Sequence, residues 1–106
     1  MIYDVRIYDL KQGKVQEYMK AVREVGLPIR KAHGVKLAGW YHTLIGPITQ
    51  VIHIWAYESL AHLETAKAEV EADPRWAGEY LPRVQPLLDR ARDQIMMAAD
   101  FAPQAE

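Results

Sequence analysis

A chain of 106 residues is one domain long enough for a core, and 13 basic against 14 acidic residues leave a net charge of -1, without the basic excess that phosphate backbones select. The absence of cysteine excludes disulfides, a thiolate nucleophile and a zinc-finger framework. No leader-like opening and no run of about 18 apolar residues is present, so the expectation is a cytoplasmic protein with neither nucleic acid nor membrane as partner.

Residues Ile2 to Tyr8 alternate, with Tyr3, Val5 and Ile7 on one side and Ile2, Asp4, Arg6 and Tyr8 on the other, which predicts a first strand. Val15, Tyr18, Met19, Val22 and Val25 recur at helical spacing and predict an amphipathic helix ending near Gly26. A break at Gly26-Leu27-Pro28 is expected, then a short helical piece opened by Pro28 and closed by Gly34. The charges of this region, including Lys11, Lys14, Lys20, Arg23 and Arg30, alternate with acids and read as a solvated face.

A second strand follows from about Val35 to Leu44, a loop at Ile45 to Ile48, and a third strand through Tyr57. An even-numbered loop sets Trp40 opposite His53 and His42 opposite Val51. Both tryptophans and both histidines then share a face with Val51 and Tyr57, while Leu37, Gly39, Tyr41 and Thr43 take the other. Ser59 is a suitable N-cap for a helix carrying Leu60, Leu63, Ala66 and Val70, with His62 where a capping box would place Glu or Gln. Asp73-Pro74 is a second start signal, and Pro82 predicts a kink or restart among Trp76, Tyr80, Leu81, Val84 and Leu87. A last strand is expected from Arg90 to about Ala99, then a tail from about residue 100.

This order, βαββαβ, is that of an α+β ferredoxin-like sandwich: an antiparallel sheet in the order 4-1-3-2 with both helices on one face. The expectation places the ring-bearing face, with Asp4, Arg6, Tyr8, Trp40, His42, His53, Trp55 and Tyr57, on the side without helices. So large an aromatic patch is rarely left in water. A second copy packed against it, forming a dimeric α/β barrel, would bury it.

The chain also resembles the NIPSNAP family, small domains of the dimeric α/β-barrel type. The likeness lies in Ile2 to Tyr8, Gly26-Leu27-Pro28-Ile29, Ile45 to Tyr57, and Asp73-Pro74-Arg75-Trp76, and it covers almost the full length. It departs at Asp4, where the family more often has Glu, and at Pro82. The resemblance implies a fold and a homodimer, but no agreed catalytic residues. More distant barrel relatives include cofactor-free monooxygenases, haem-degrading enzymes and lactone isomerases, so fold alone leaves function open.

His53 is the first candidate for chemistry: near Arg6 and Asp4 in a ring-lined cavity it can act as a general base oriented by the carboxylate. The competing reading is a buried, hydrogen-bonded structural histidine. Arg6 suits a substrate carboxylate, or pairing with Asp4 or a partner subunit's acid. Tyr8, Trp40, His42, Trp55 and Tyr57 can line a site for a planar ligand, or pack an interface. His42, His53 and Asp4 have the composition of a two-histidine, one-carboxylate site, but His42 is displaced along its strand, so no metal and no cofactor is expected. His33 and His62 read as surface residues, and Met96 and Met97 as filler. Two functions compete: a dimeric barrel binding a small aromatic or planar molecule, with monooxygenase- or isomerase-like chemistry and no cofactor, and a non-catalytic structural or protein-interaction module.

Overall fold

In a computed structural model the chain is described over residues 1–103; the final three residues of the expected tail lie outside the described residues. Strands β1 (Ile2–Leu10), β2 (Lys36–His42), β3 (Gln50–Tyr57) and β4 (Leu88–Met97) form one sheet in the order β2-β3-β1-β4. All three pairings are antiparallel, as the element order predicts. The register places Trp40 opposite His53 and His42 opposite Val51, and sets Arg6 beside His53 and Asp4 beside Trp55. An irregularity between Leu37 and Gly39 makes Ala38 an extra residue. Leu37 therefore pairs with Trp55 and packs against the core, instead of facing the way of Gly39 and Tyr41.

The helices cover the opposite face from the one expected. Tyr18, from α1 (Val15–Ala21), meets Tyr8 edge-on with centroids 6.3 Å apart and lies 6.2 Å from Trp40. Arg30, from α2 (Leu27–Ala32), lies over Trp55. The ring-bearing face is thus the interior of the domain, and Val51, His53, Trp55 and Tyr57 are all buried. The physical reason is complementarity of size. Much of what the helices present inward is small and aliphatic, Ala21, Val22, Val25, Ala66 and Val70, and rings from the sheet, with Tyr18 and Tyr80 from the helical layer, fill the space these leave. Tyr3, Val5, Ile52 and Ile54 occupy the helix-free face instead. There Tyr41 is 58% exposed, its ring lying over Gly39, where an added Cβ would come within 2.7 Å of it.

The expected break at Gly26-Leu27-Pro28 does not occur. Helix continues from α1 into α2 through a π turn at Val22–Gly26, in which the Leu27 N–H donates to the Val22 carbonyl. A second π turn, Trp76–Tyr80, has the Leu81 N–H donating to Trp76 and leads into α4 (Leu81–Val84). Each π turn ends two residues before a proline, Pro28 or Pro82. Proline lacks the N–H of an α-helical bond, and a wider turn just before it accommodates the gap. The two π turns touch: a Cβ on Gly26 would lie 2.6 Å from the Tyr80 ring.

Helix α3 (Leu60–Ala72) starts at Ser59, whose Oγ accepts from the His62 N–H. The His62 Nδ1 in turn accepts from the Glu58 N–H at 3.0 Å, so the imidazole performs the returning half of a capping box one residue early. His33 is likewise partly buried, its Nε2 2.9 Å from Asp73 Oδ2, tying the end of α2 to the end of α3. Hydrogen bonds from Arg75 and His33 hold the Asp73 carboxyl well below the usual carboxylate range. Among the described residues no helix is long and apolar enough to cross a membrane.

Candidate functional site

Between the sheet and the helical layer lies a cavity of about 490 Å³. Its sheet wall is Asp4 and Arg6 of β1, Trp55 and Tyr57 of β3, and Asp93 of β4. Its helical wall includes Arg30 of α2, Lys67 and Val70 of α3, and Trp76 of the second π turn. A volume of this size matches that of small-molecule pockets.

Asp4 is buried in the middle of the sheet, 4% exposed. One carboxyl oxygen, Oδ2, accepts from Arg6 Nε at 2.8 Å, while Oδ1 has no partner. Burial pushes its pKa up; Arg6 opposes this, and the charge of Asp93 adds to it. Arg6 is fully engaged. Besides Asp4, its Nη1 donates to the Tyr8 hydroxyl at 2.7 Å and its Nη2 lies 3.6 Å from Asp93 Oδ2. Burial works against the Arg6 charge, but Tyr8 and Asp4 outweigh it and raise its pKa.

Arg30 differs. It is 8% exposed, and its guanidinium carbon lies 4.3 Å from the Trp55 ring centroid and 4.9 Å from that of Trp76, between the two indoles. It also donates to the Tyr80 hydroxyl. Nη1 has no partner, and among the described residues no carboxylate forms an ion pair with it. Cation-π contacts return about 2 kcal/mol each when desolvated, against several kcal/mol for burying a charge. A guanidinium held this way is ready for an anion.

His53 sits toward the other end of the same face and does not line the cavity. It is 1% exposed. Its Nδ1 accepts from Trp55 Nε1 at 2.7 Å, so the neutral ring carries its proton on Nε2, which has no partner. Trp40 stacks on it at 5.5 Å with 19° between the rings, and Tyr8 meets it edge-on at 4.7 Å. Burial, then the charges of Arg30 and Arg6, lower its pKa to about 2. Such an imidazole is neutral throughout the working range and is a poor proton acceptor. The carboxylate expected to orient it bonds to Arg6 instead.

Of the residues singled out from sequence, Asp4, Arg6, Trp55 and Tyr57 meet in the cavity. Tyr8, Trp40 and His53 form the packed cluster beside it, and His42 is exposed at the end of β2. No group of three or more His, Cys, Asp or Glu among the described residues is placed to hold a metal. Arg30 and Trp76 were missed, and Arg30 is not on the solvated face expected for it. A π turn carries roughly one extra residue, so the phase of α2 shifts behind Gly26 and turns Arg30 inward. The available signal was Pro28 inside an otherwise unbroken helical pattern.

A sequence model of the NIPSNAP family matches residues 3–103. This chain belongs to the NIPSNAP family. A NIPSNAP family protein with unknown function from Agrobacterium tumefaciens has the same fold at a TM-score of 0.90, with 40% identity over 97% of this chain and 92% of that one. NipSnap homolog 3A of Homo sapiens is 27% identical over 90% of this chain. This chain spans only 38% of the human protein's length. A putative antibiotic biosynthesis monooxygenase from Nitrosomonas europaea, at 15% identity and a TM-score of 0.69 over 92% of this chain and 98% of that one, shares the fold. The sheet and its helical cover are therefore common to NIPSNAP domains and to monooxygenase-like ferredoxin folds.

Proposed function

We propose that this NIPSNAP domain binds a small planar molecule in the cavity between sheet and helices, and that Asp4 moves a proton on it in isomerase-like or cofactor-free monooxygenase-like chemistry. One observation carries the reading: a buried carboxyl with an unpartnered oxygen and a raised pKa lies in the wall of an indole-lined cavity. Burial raises the proton affinity of a carboxyl so placed, which is the direction a general base requires. The fold shared with a putative monooxygenase agrees with this chemistry. The ligand position moves from the helix-free side, where the sequence pattern suggested it, to the helix-covered side.

The helix-free face serves a second copy of the chain in this reading. Tyr3, Val5, Tyr41, Ile54 and Met96 line a shallow apolar depression of about 550 Å³, and an isologous contact would remove it from water. A purely structural module would have the same homodimer, yet would give no reason for an unfilled cavity with an orphaned carboxyl oxygen.

A thermal-shift screen of planar metabolites tests the proposal, because a ligand selective for the folded state raises stability. Hits are expected to stabilise the wild type and not Leu63→Trp, which fills the cavity from α3. Asp4→Asn should retain binding and lose turnover of any substrate so found. A ligand that stabilises Leu63→Trp equally would place binding elsewhere and remove the proposal.

A further inference from the structure

The cavity holds three cationic side chains, Arg6, Arg30 and Lys67, and three acidic ones, Asp4, Glu71 and Asp93, yet the charges are unevenly matched. Arg6 is committed to Asp4 and lies near Asp93. Lys67 and Glu71 stand four apart on α3, a spacing that sets them beside each other on the helix surface. Among the described residues neither Lys67 nor Arg30 has a carboxylate within ion-pair distance, and of the two it is Arg30 that is buried. Its faces are occupied by Trp55 and Trp76, which leaves the guanidinium edge free, and Nη1 on that edge is unpartnered while the residue is more than nine-tenths buried.

On the opposite wall Asp4 Oδ1 is the second buried polar atom of the cavity without a partner. One ligand that carries an anion at one end and a hydrogen-bond donor at the other answers both atoms. Resting on the binding reading above, we infer that the natural ligand is a small aromatic carboxylic acid with a hydroxyl group. Its carboxylate pairs with Arg30 Nη1 and its hydroxyl donates to Asp4 Oδ1.

The acid is a single negative charge. The carboxylates of Asp4, Asp93 and Glu71 in the same wall would repel a phosphate dianion more strongly than a monoanion. An aromatic body suits the indoles of Trp55 and Trp76, whose rings already flank the guanidinium. Arg30 is in this account a binding residue that fixes which end of the ligand faces Asp4.

The test uses calorimetric titration of the whole chain with 4-hydroxyphenylacetate and its neutral counterpart 4-hydroxyphenylacetamide. The acid is expected to bind wild type at least about tenfold more tightly than the amide, the contribution of a charge-assisted pair in a desolvated site. Arg30→Gln should abolish that preference, and Arg30→Lys should restore part of it. Because the acid-to-amide contrast is measured on the unaltered protein, it stands even where a variant folds poorly. Equal binding of acid and amide, blocked by Leu63→Trp, would overturn the carboxylate assignment and leave the binding reading intact. Acid binding that survives Leu63→Trp would overturn both, as would binding of neither compound.

Discussion

The covered face of the sheet has two ends built from similar residues and put to different uses. At one end Tyr8, Tyr18, Trp40 and His53 pack ring against ring, a titratable group is held neutral, and the two unpaired atoms, Trp40 Nε1 and His53 Nε2, belong to residues outside the cavity wall. At the other, Asp4, Arg30, Trp55 and Trp76 surround a cavity and keep polar atoms unpaired inside it. Trp55 belongs to both, giving its N–H to His53 and its face to Arg30. The lesson is that burial and aromaticity alone do not distinguish a core from a site. Unpaired buried polar atoms occur at both ends, and what distinguishes the ends is whether a cavity lies beside those atoms.

Substitutions at the two ends should therefore have opposite characters. Trp55→Ala removes the shared residue and is expected to cost about 3 to 5 kcal/mol, most of the stability of a small domain, as read from the urea midpoint. A loss below about 1 kcal/mol would mean that the ring cluster does not hold the layers together.

The closed end also predicts a pH dependence. With a pKa of about 2 in the folded state against an ordinary histidine value of 6.5, His53 is protonated first in the unfolded chain as pH falls. Its stabilising contribution is present above pH 6.5 and declines steadily below it, by up to about 1.4 kcal/mol per pH unit. Asp4, whose pKa is raised from 3.8, acts in the reverse sense: its burial favours the protonated form, so stability is gained as pH falls through the raised pKa toward 3.8. Unfolding curves from pH 7 to 4 separate the two when wild type is compared with His53→Gln, which keeps an acceptor for Trp55. The variant should lack the His53 slope; parallel curves would show that the imidazole titrates normally.

At the open end the expected effect is smallest. Arg30→Met replaces a buried charge that has no acidic partner with an apolar chain of similar length, and such exchanges are commonly neutral or stabilising. Chemical denaturation should report a change within about 1 kcal/mol of zero, or a gain. A loss of about 3 kcal/mol would place Arg30 among the structural residues.

The fold was largely legible. Period-two alternation in Ile2 to Tyr8 and Gln50 to Tyr57 defined the central strands, and loop parity set Trp40 against His53. Which side the helices choose was not legible from that alternation, because both faces of β3 are apolar enough to be covered. Ile52 and Ile54 look like core by hydrophobicity, yet the small side chains of Ala21, Val22 and Ala66 leave room that Trp55 and His53 fill better. The candidate site was half legible. Asp4, Arg6, Trp55 and Tyr57 share a face by parity alone, whereas Arg30 reaches it through a π turn that changes the phase of its helix, and Trp76 opens the second π turn. A helical wheel drawn at a constant 3.6 residues per turn cannot place a residue behind such a turn.

The three tryptophans report on the two ends directly, one in the closed cluster, one shared and one in the cavity wall. The decisive measurement is the proton-nitrogen NMR spectrum of their indole N–H groups during titration with 4-hydroxyphenylacetate. Saturable shifts of the Trp55 and Trp76 signals with Trp40 least affected are the predicted result. A shift centred on Trp40, or three signals unmoved, would contradict the assignment of the open end as a ligand site.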